Sequence, residues 1–363
     1  MLVVKAIDRA ASALVIVGLL GGLVGCKRAV DATEVVNAKR TISAVASADI
    51  QLTGLELHDT FEQWMKQYRI AGGALAISHR GDPVLQHGIR RSADKAYPVA
   101  SLSKVITAVC LQQLLDQQGK TVDLPLQQVI PTALDTNPPA DPRLAEVTLA
   151  QLVSHNSGIQ SRYHRQFIAN KQIYDQQRLG EQYRALAAET LSAQPGSGYH
   201  YSNANYMLLG LAIEEMSGQA YDDYCSSQVL QPAGVSAQLN PRWRVMSAWG
   251  GWQISAVDFL KFLNTYFADN KVLGRDPATL RVNTPVGRGA YYGLGTLTRP
   301  ANQGHRFWHS GAWGWSDYNR DDRFGAYYII REDGLMIVMN YADFVNDKKL
   351  RDLENRLVKV LNL

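Results

Sequence analysis

Ser101 and Lys104 stand three residues apart at the head of an apolar run, a spacing that puts both side chains on one face of a helix. A serine hydroxyl is a weak nucleophile at neutral pH and needs a positioned base, which an uncharged lysine one turn away can be. Tyr201-Ser202-Asn203 and His309-Ser310-Gly311 follow in that order at wide separation. The ordered triple points to serine acyl transfer.

Each segment is weak by itself. A second Ser-x-x-Lys, Ser92 to Lys95, sits in the polar stretch Arg90 to Lys95 close before Pro98, which disfavours a helix through it, and reads as a loop. His79-Arg80-Gly81 also fits His-x-Gly, but it ends an apolar strand and reads as a turn into Asp82-Pro83. Tyr201-x-Asn203 occurs once in the chain. The Ser101 copy alone leads into Val105, Ile106, Ala108, Val109, Leu111, Leu114 and Leu115, the pattern of a helix buried at a domain's centre. A nucleophile in such a helix's first turn gains from the helix dipole.

These residues need elements to hold them. Leu57, Phe61, Trp64, Met65 and Tyr68 recur at helical spacing, and Ala74 to Ser78 and Val84 to Ile89 read as strands joined around Gly81-Asp82-Pro83. Between about Thr121 and Pro285 the chain reads as helical segments and loops, including Asn205 to Met216, closed by Gly218, and Ala256 to Phe267. Strands are expected again at Tyr292 to Leu297, His305 to His309, Ala312 to Tyr318, Ala326 to Arg331 and Leu335 to Asn340, with Asp333-Gly334 turning the last pair. Asn319 to Arg323 reads as a solvated loop, and Leu350, Leu353, Leu357 and Leu361 mark a closing helix. The expected fold is α+β, an α/β sandwich: an antiparallel sheet flanked by terminal helices, with an inserted, mostly helical lobe. The α/β lobe takes about 55–100 and 286–363, the helical lobe about 101–285.

Several phrases around the motifs resemble the superfamily of serine β-lactamases and penicillin-binding proteins, on the branch holding class C β-lactamases, D,D-carboxypeptidases, D-aminopeptidases and related esterases. They are Pro98 to Thr107, Thr148 to Gly158, Pro195-Gly196 through Tyr201-Ser202-Asn203 to Gly210, Gly250 to Phe262, Tyr292 to Gly295 and His309-Ser310-Gly311. The resemblance covers roughly residues 55 to 360. It implies a β-lactamase/transpeptidase-like fold and an acyl-enzyme on Ser101, with Lys104 as base and Tyr201 as relay or second base. It further implies that Asn203 binds the acyl-side amide, that the N–H groups of Ser101 and Ala312 form an oxyanion hole, and that His309, Ser310 and Gly311 line the substrate strand. Where class C β-lactamases carry lysine, this chain has His309, whose charge near pH 7 is expected to be partial. His155 falls in one of the phrases and reads as a structural turn.

Lys104 qualifies as a base only if its surroundings strip its proton, since an ordinary lysine is protonated at neutral pH. The apolar helix supplies that condition. The expected function is therefore a serine hydrolase acting on D,D-peptides, β-lactams or related amides. A carboxylesterase and a penicillin-binding sensor without turnover are the alternatives. No Gly-x-Ser-x-Gly elbow of an α/β-hydrolase occurs.

The chain has 363 residues, 46% hydrophobic and 19% charged, with a formal net charge of +4 and no basic run of the kind that binds nucleic acid. Lys5 and Arg9 precede the apolar stretch Ala10 to Gly25, short for a membrane span, and Leu23-Val24-Gly25-Cys26 resembles a bacterial lipobox. Residues 1–25 are read as a lipoprotein signal peptide, Cys26 as the lipidated amino terminus and 26–54 as a tether; an uncleaved anchor is the alternative. Either address is extracytoplasmic. The lipidated form, with Lys27 behind Cys26, suggests the outer membrane, facing the periplasm. Cys110 and Cys225, in helical stretches, are expected to be packed thiols, although the compartment permits a disulfide. The histidines lack metal-ligand spacing, so neither metal nor cofactor is expected. A monomer with a small-molecule or peptide substrate is expected. Trp243, Trp249, Trp252, Trp308, Trp313 and Trp315 all flank motif segments, either as core or as an aromatic wall for a bulky acyl group.

Overall fold

The computed structural model describes residues 54–160, 178–277, 282–302, 304–314 and 323–361. Its strands are β1 (Gly73–His79), β2 (Asp82–Ile89), β3 (Tyr97–Pro98), β4 (Ala237–Leu239), β5 (Trp252–Ile254), β6 (Thr284–Gly287), β7 (Ala290–Gly293), β8 (Thr296–Ala301), β9 (Gly304–Trp313), β10 (Phe324–Ile330) and β11 (Leu335–Tyr341). Eight of them form an antiparallel sheet in the order β2-β1-β11-β10-β9-β8-β7-β6. The remaining three, in the order β3-β5-β4, form a small second sheet.

Every residue of β10 and β11 is buried, which explains why both read as unbroken apolar runs without alternation. Helix Ala256–Tyr266 packs on β1 and β11 with Phe259, Leu260, Phe262 and Leu263 inward. Its start is capped by Ser255, whose hydroxyl accepts from Asp258 N–H.

Helix Ser103–Gln117 is buried almost throughout, and helices Asn203–Ser217 and Ser247–Gly250 pack along it. Gly210 permits the close approach of these last two helices to each other: a Cβ there would come within 2.6 Å of Ala248 Cβ. Helix Asn203–Ser217 ends at Gly218 in the left-handed conformation, as its sequence anticipates.

By contacts the chain groups into two compact units, Ile70–Val345 and the two termini, Met1–Arg69 with Asn346–Leu363. In the terminal unit, residues 54–68 form a helix beside Asp347–Val360, with Trp64 Nε1 donating to Lys349 O at 2.8 Å and Tyr68 OH to Asp352 at 3.0 Å.

The structure corrects three local expectations. Tyr292 to Leu297 is two strands, because Leu294 (φ 48°) and Gly295 (φ 74°) make a two-residue turn between β7 and β8. His305 to His309 and the start of the next expected strand are one strand, β9, and β6 was not anticipated because Pro285 and Gly287 read as loop.

Cys110 and Cys225 are not separate thiols but a disulfide, with their Cα atoms 5.5 Å apart. Two helices distant in sequence bring them within bridging range.

The expected signal peptide, Cys26 and the tether up to residue 53 lie outside the described residues, as do Trp315 and residues 319–322. Among the described residues no helix is long and apolar enough to cross a membrane.

Candidate active site

Ser101 occupies a 3₁₀ turn, Ala100–Leu102, that runs directly into helix Ser103–Gln117. Ala100 before it holds φ at 47°, a strained value for a residue with a side chain, of the kind that gathers at functional sites. Two ties fix the turn from below: Trp252 N–H donates to Ser103 Oγ at 3.1 Å, and Val99 N–H to Trp252 O at 3.1 Å.

Lys104 is fully buried. Its Nζ lies 3.1 Å from Ser101 Oγ, 2.8 Å from Asn203 Oδ1 and 2.7 Å from the Trp249 carbonyl. Desolvation pushes its pKa well below the ordinary lysine value, since none of these contacts is a carboxylate that would hold the charge.

Tyr201 OH donates to Ser101 Oγ at 2.9 Å. The residue is 43% exposed, but its hydroxyl end is enclosed, and that desolvation raises the phenol's pKa, opposed by the hydrogen bond to Ser101. Tyr201 is thus a phenol, not a phenolate, at neutral pH.

His155 grips the segment that carries Tyr201 and is a sharp turn in its own right, with φ 56°. Its carbonyl accepts from His200 N–H at 2.8 Å, and its Nδ1 from Ser202 N–H at 3.3 Å and Asn205 Nδ2 at 2.8 Å. The imidazole lies 4.3 Å from the Tyr201 ring, centre to centre. Burial depresses its pKa well below 6.5, with Lys104 and His309 adding to the effect, so it serves as a neutral acceptor.

Strand β9 closes the other side. Gly311 lies so near the Ser101 turn that a Cβ would fall 2.3 Å from Val99 O and 2.9 Å from Ser101 N, so only glycine permits the approach. Gly295 plays the same part against the helix, where a Cβ would meet Lys104 O at 2.5 Å. Ala312, next after Gly311, lines the cleft together with Ser101.

His309 departs from expectation. It is buried, its Nδ1 lies 2.7 Å from Ser310 O, and its Nε2 lies 3.1 Å from Tyr292 OH. The carbonyl can only accept, so Nδ1 carries the hydrogen and Nε2 accepts from the tyrosine. Desolvation, reinforced by Lys104, pushes its pKa down to about 3, against the hydrogen bond to Ser310. The imidazole is neutral at pH 7 rather than partly charged.

A cleft of about 680 Å³ opens over Ser101, Tyr201, Asn203 and Ala312. Trp249 and Trp313 stand in its wall, and Trp243 backs Trp313 at 5.7 Å between ring centres. Trp252 is core instead, fully buried with Nε1 donating to Tyr221 OH at 2.8 Å. Sequence reasoning missed the Trp249 carbonyl, which has no side-chain signature, and Arg323 in the cleft wall, which reads as loop. Pairing the strand after His309 with the apolar run from Phe324 would have placed Arg323 beside Gly314.

The chain is 29% identical over 174 residues to a candidate D-alanyl-D-alanine carboxypeptidase of Escherichia coli, a match covering 47% of this chain and 39% of that one. It is 26% identical over 211 residues to esterase EstB of Burkholderia gladioli, covering 52% of each. These matches span about two fifths to one half of the length of those relatives. An octameric penicillin-binding protein homologue from Pyrococcus abyssi shares the fold, with a TM-score of 0.64 at 20% identity over 84% of this chain and 77% of that one. The β-lactamase family model matches residues 57–359, and the chain belongs to that family of hydrolases.

Proposed function

We propose that this protein is a serine hydrolase that forms an acyl-enzyme on Ser101, with D,D-peptides, β-lactams or related amides as substrates. One observation carries the reading: Ser101 Oγ lies 2.9 Å from Tyr201 OH and 3.1 Å from Lys104 Nζ, while the other two hydrogen-bond partners of Lys104 are both acceptors. A neutral amine spends its two hydrogens on Asn203 and Trp249 and keeps its lone pair for the serine.

Lys104 would take the Ser101 proton as Oγ attacks the acyl carbon. The N–H groups of Ser101 and Ala312 would hold the resulting oxyanion. As the tetrahedral adduct collapses, the proton would pass through Tyr201 to the leaving group, and water would later cleave the ester to restore Ser101. Asn203, fixed by Lys104, would present its amide to the acyl side. The expected lipid at Cys26 would hold the enzyme at a bacterial membrane, facing the periplasm.

A specific observation favours the esterase as a second reading. His309 is neutral and occupied by Tyr292 and Ser310, so the leaving-group side offers no cation from this residue to a substrate carboxylate. Turnover of a p-nitrophenyl ester and of a D-Ala-D-Ala peptide, each by wild type and Ser101→Ala, tests both. Serine-dependent release from the peptide supports the first reading, and serine-dependent release from the ester alone supports the second. Equal rates from both proteins on every substrate would refute the serine mechanism.

A further inference from the structure

The cleft has two sides. The Tyr201 ring lies 6.4 Å from that of His309, so the β9 residues before Ala312 flank the side on which Tyr201 meets a leaving group. Beyond Ala312 the lining continues through Trp313 and Gly314 to Arg323, with Asp343 and Phe344 nearby. With Tyr201 read as the relay to the leaving group, that is the acyl side, whose occupant would stay on Ser101 after the leaving group departs.

Arg323 is held there by the fold. The register that sets Trp313 opposite Phe324 sets Gly314 opposite Arg323. Gly314 has φ 128°, and a Cβ on it would come 2.7 Å from Arg323 Cγ and 3.1 Å from its Cα, so bare backbone at 314 makes room for the arginine stem.

Extending the register that pairs Gly325 with Tyr341 by two residues brings Asp343 opposite Arg323. Among the described residues these are the two charged members of the cleft lining, and among the same residues Arg323 has no ion-pair partner. The Asp343 carboxylate instead accepts from Phe344 N–H at 2.7 Å. Arg323 shares the cleft wall with Trp313 and Phe344 and is half-buried, and partial shielding from water strengthens a guanidinium's attraction for an anion, while its planar fork matches a carboxylate.

We propose that Arg323 is a specificity-determining residue that binds a carboxylate carried by the acyl portion of the substrate. The ligand class is an acyl group ending in a carboxylate, set back by a short chain from the scissile carbonyl. Asp343 on the same wall disfavours a second anion. The inference rests on the reading of Ser101 as nucleophile.

The test compares p-nitrophenyl hexanoate with mono-p-nitrophenyl adipate, which share a leaving group and a six-carbon acyl chain and differ in the terminal carboxylate. Wild type is expected to favour the adipate ester in kcat/KM by roughly 10- to 100-fold, mainly through KM, and to lose that preference as salt is raised. Arg323→Gln should bring the ratio close to one, and Arg323→Lys should restore part of it. A wild-type ratio near one, or a ratio unchanged in Arg323→Gln, overturns the assignment. Should Arg323→Gln fail to fold, the wild-type ratio and its salt dependence decide. Turnover of hexanoate that depends on Ser101, without adipate preference, sinks the Arg323 assignment alone. Turnover of neither ester by wild type, or equal turnover by Ser101→Ala, sinks the serine mechanism beneath it.

Discussion

The carbonyl of Trp249 accepts a hydrogen bond from Lys104 Nζ at 2.7 Å, inside a pocket from which the lysine has no exposure. Position 249 is held in turn by a buried network. Trp249 Nε1 donates to Gln182 at 3.0 Å, and Ser247, at the head of the same short helix, takes Arg178 Nε at 3.1 Å. Arg178 is itself paired with Asp222. The carbonyl that Lys104 meets is thereby anchored in the packing of the helical region.

Lys104 should titrate far below the other lysines. With lysine side chains isotopically labelled, its 15Nζ resonance, assigned by loss in Lys104→Met, should be amine-like at pH 9 while exposed lysines remain ammonium. The stability linkage has a definite sign. The unfolded chain binds a proton that the native state excludes, so between the lowered native pKa and 10.5 wild-type stability rises with pH. Relative to Lys104→Met, the slope should be about 1.4 kcal/mol per pH unit. Parallel stability curves would contradict a neutral Lys104.

Tyr201→Phe removes the hydroxyl 2.9 Å from Ser101 and leaves the ring against His155. A proton relay of this kind is worth ~10²- to 10⁴-fold, so kcat should fall by that amount with little change in thermal midpoint. Steady-state kinetics that show kcat within threefold of wild type would remove Tyr201 from the chemistry.

His309 should behave as a neutral group through the physiological range. Its native pKa of about 3 lies below the unfolded value of 6.5, so unfolding takes up a proton as pH falls between them. Its contribution to stability is complete above 6.5 and declines at about 1.4 kcal/mol per unit toward pH 3. Urea unfolding at pH 7, 6 and 5 should show a steeper loss in wild type than in His309→Asn. Equal slopes would mean that His309 carries charge in the native state.

The Cys110–Cys225 bridge closes a chain segment of 115 residues. On the loop-entropy account a link of that length stabilises by ~4–5 kcal/mol. The paired Cys110→Ala and Cys225→Ala variant should lower the denaturant midpoint and lose the midpoint's sensitivity to reductant. A wild-type midpoint unmoved by reductant would argue against the bridge.

Sequence alone carried much of this arrangement, for identifiable reasons. Helix Ser103–Gln117 and strands β1, β10 and β11 are buried over most of their length, so their residues are apolar with few breaks. The turn at Leu294-Gly295 escaped notice because one glycine in an apolar run looks like a tolerated strand residue. The partnership of Cys110 with Cys225 depends on how two helices meet, which periodicity does not encode. The neutral state of His309 follows from burial reinforced by Lys104, neither visible in a His-x-Gly motif. Arg323 follows polar Asp321 and Asp322, so composition hid a side chain that the β9–β10 register places in the cleft.

The central claim is a covalent bond to one hydroxyl, and time-resolved intact-mass spectrometry after mixing with benzylpenicillin or a p-nitrophenyl ester reads it directly. The account predicts a single added acyl mass on wild type, mapped by peptide digestion to Ser101, decaying as the ester is hydrolysed and absent from Ser101→Ala. Adduct formation of equal extent on Ser101→Ala, or a wild-type protein that turns substrate over with its acyl group mapped to another residue, would contradict it.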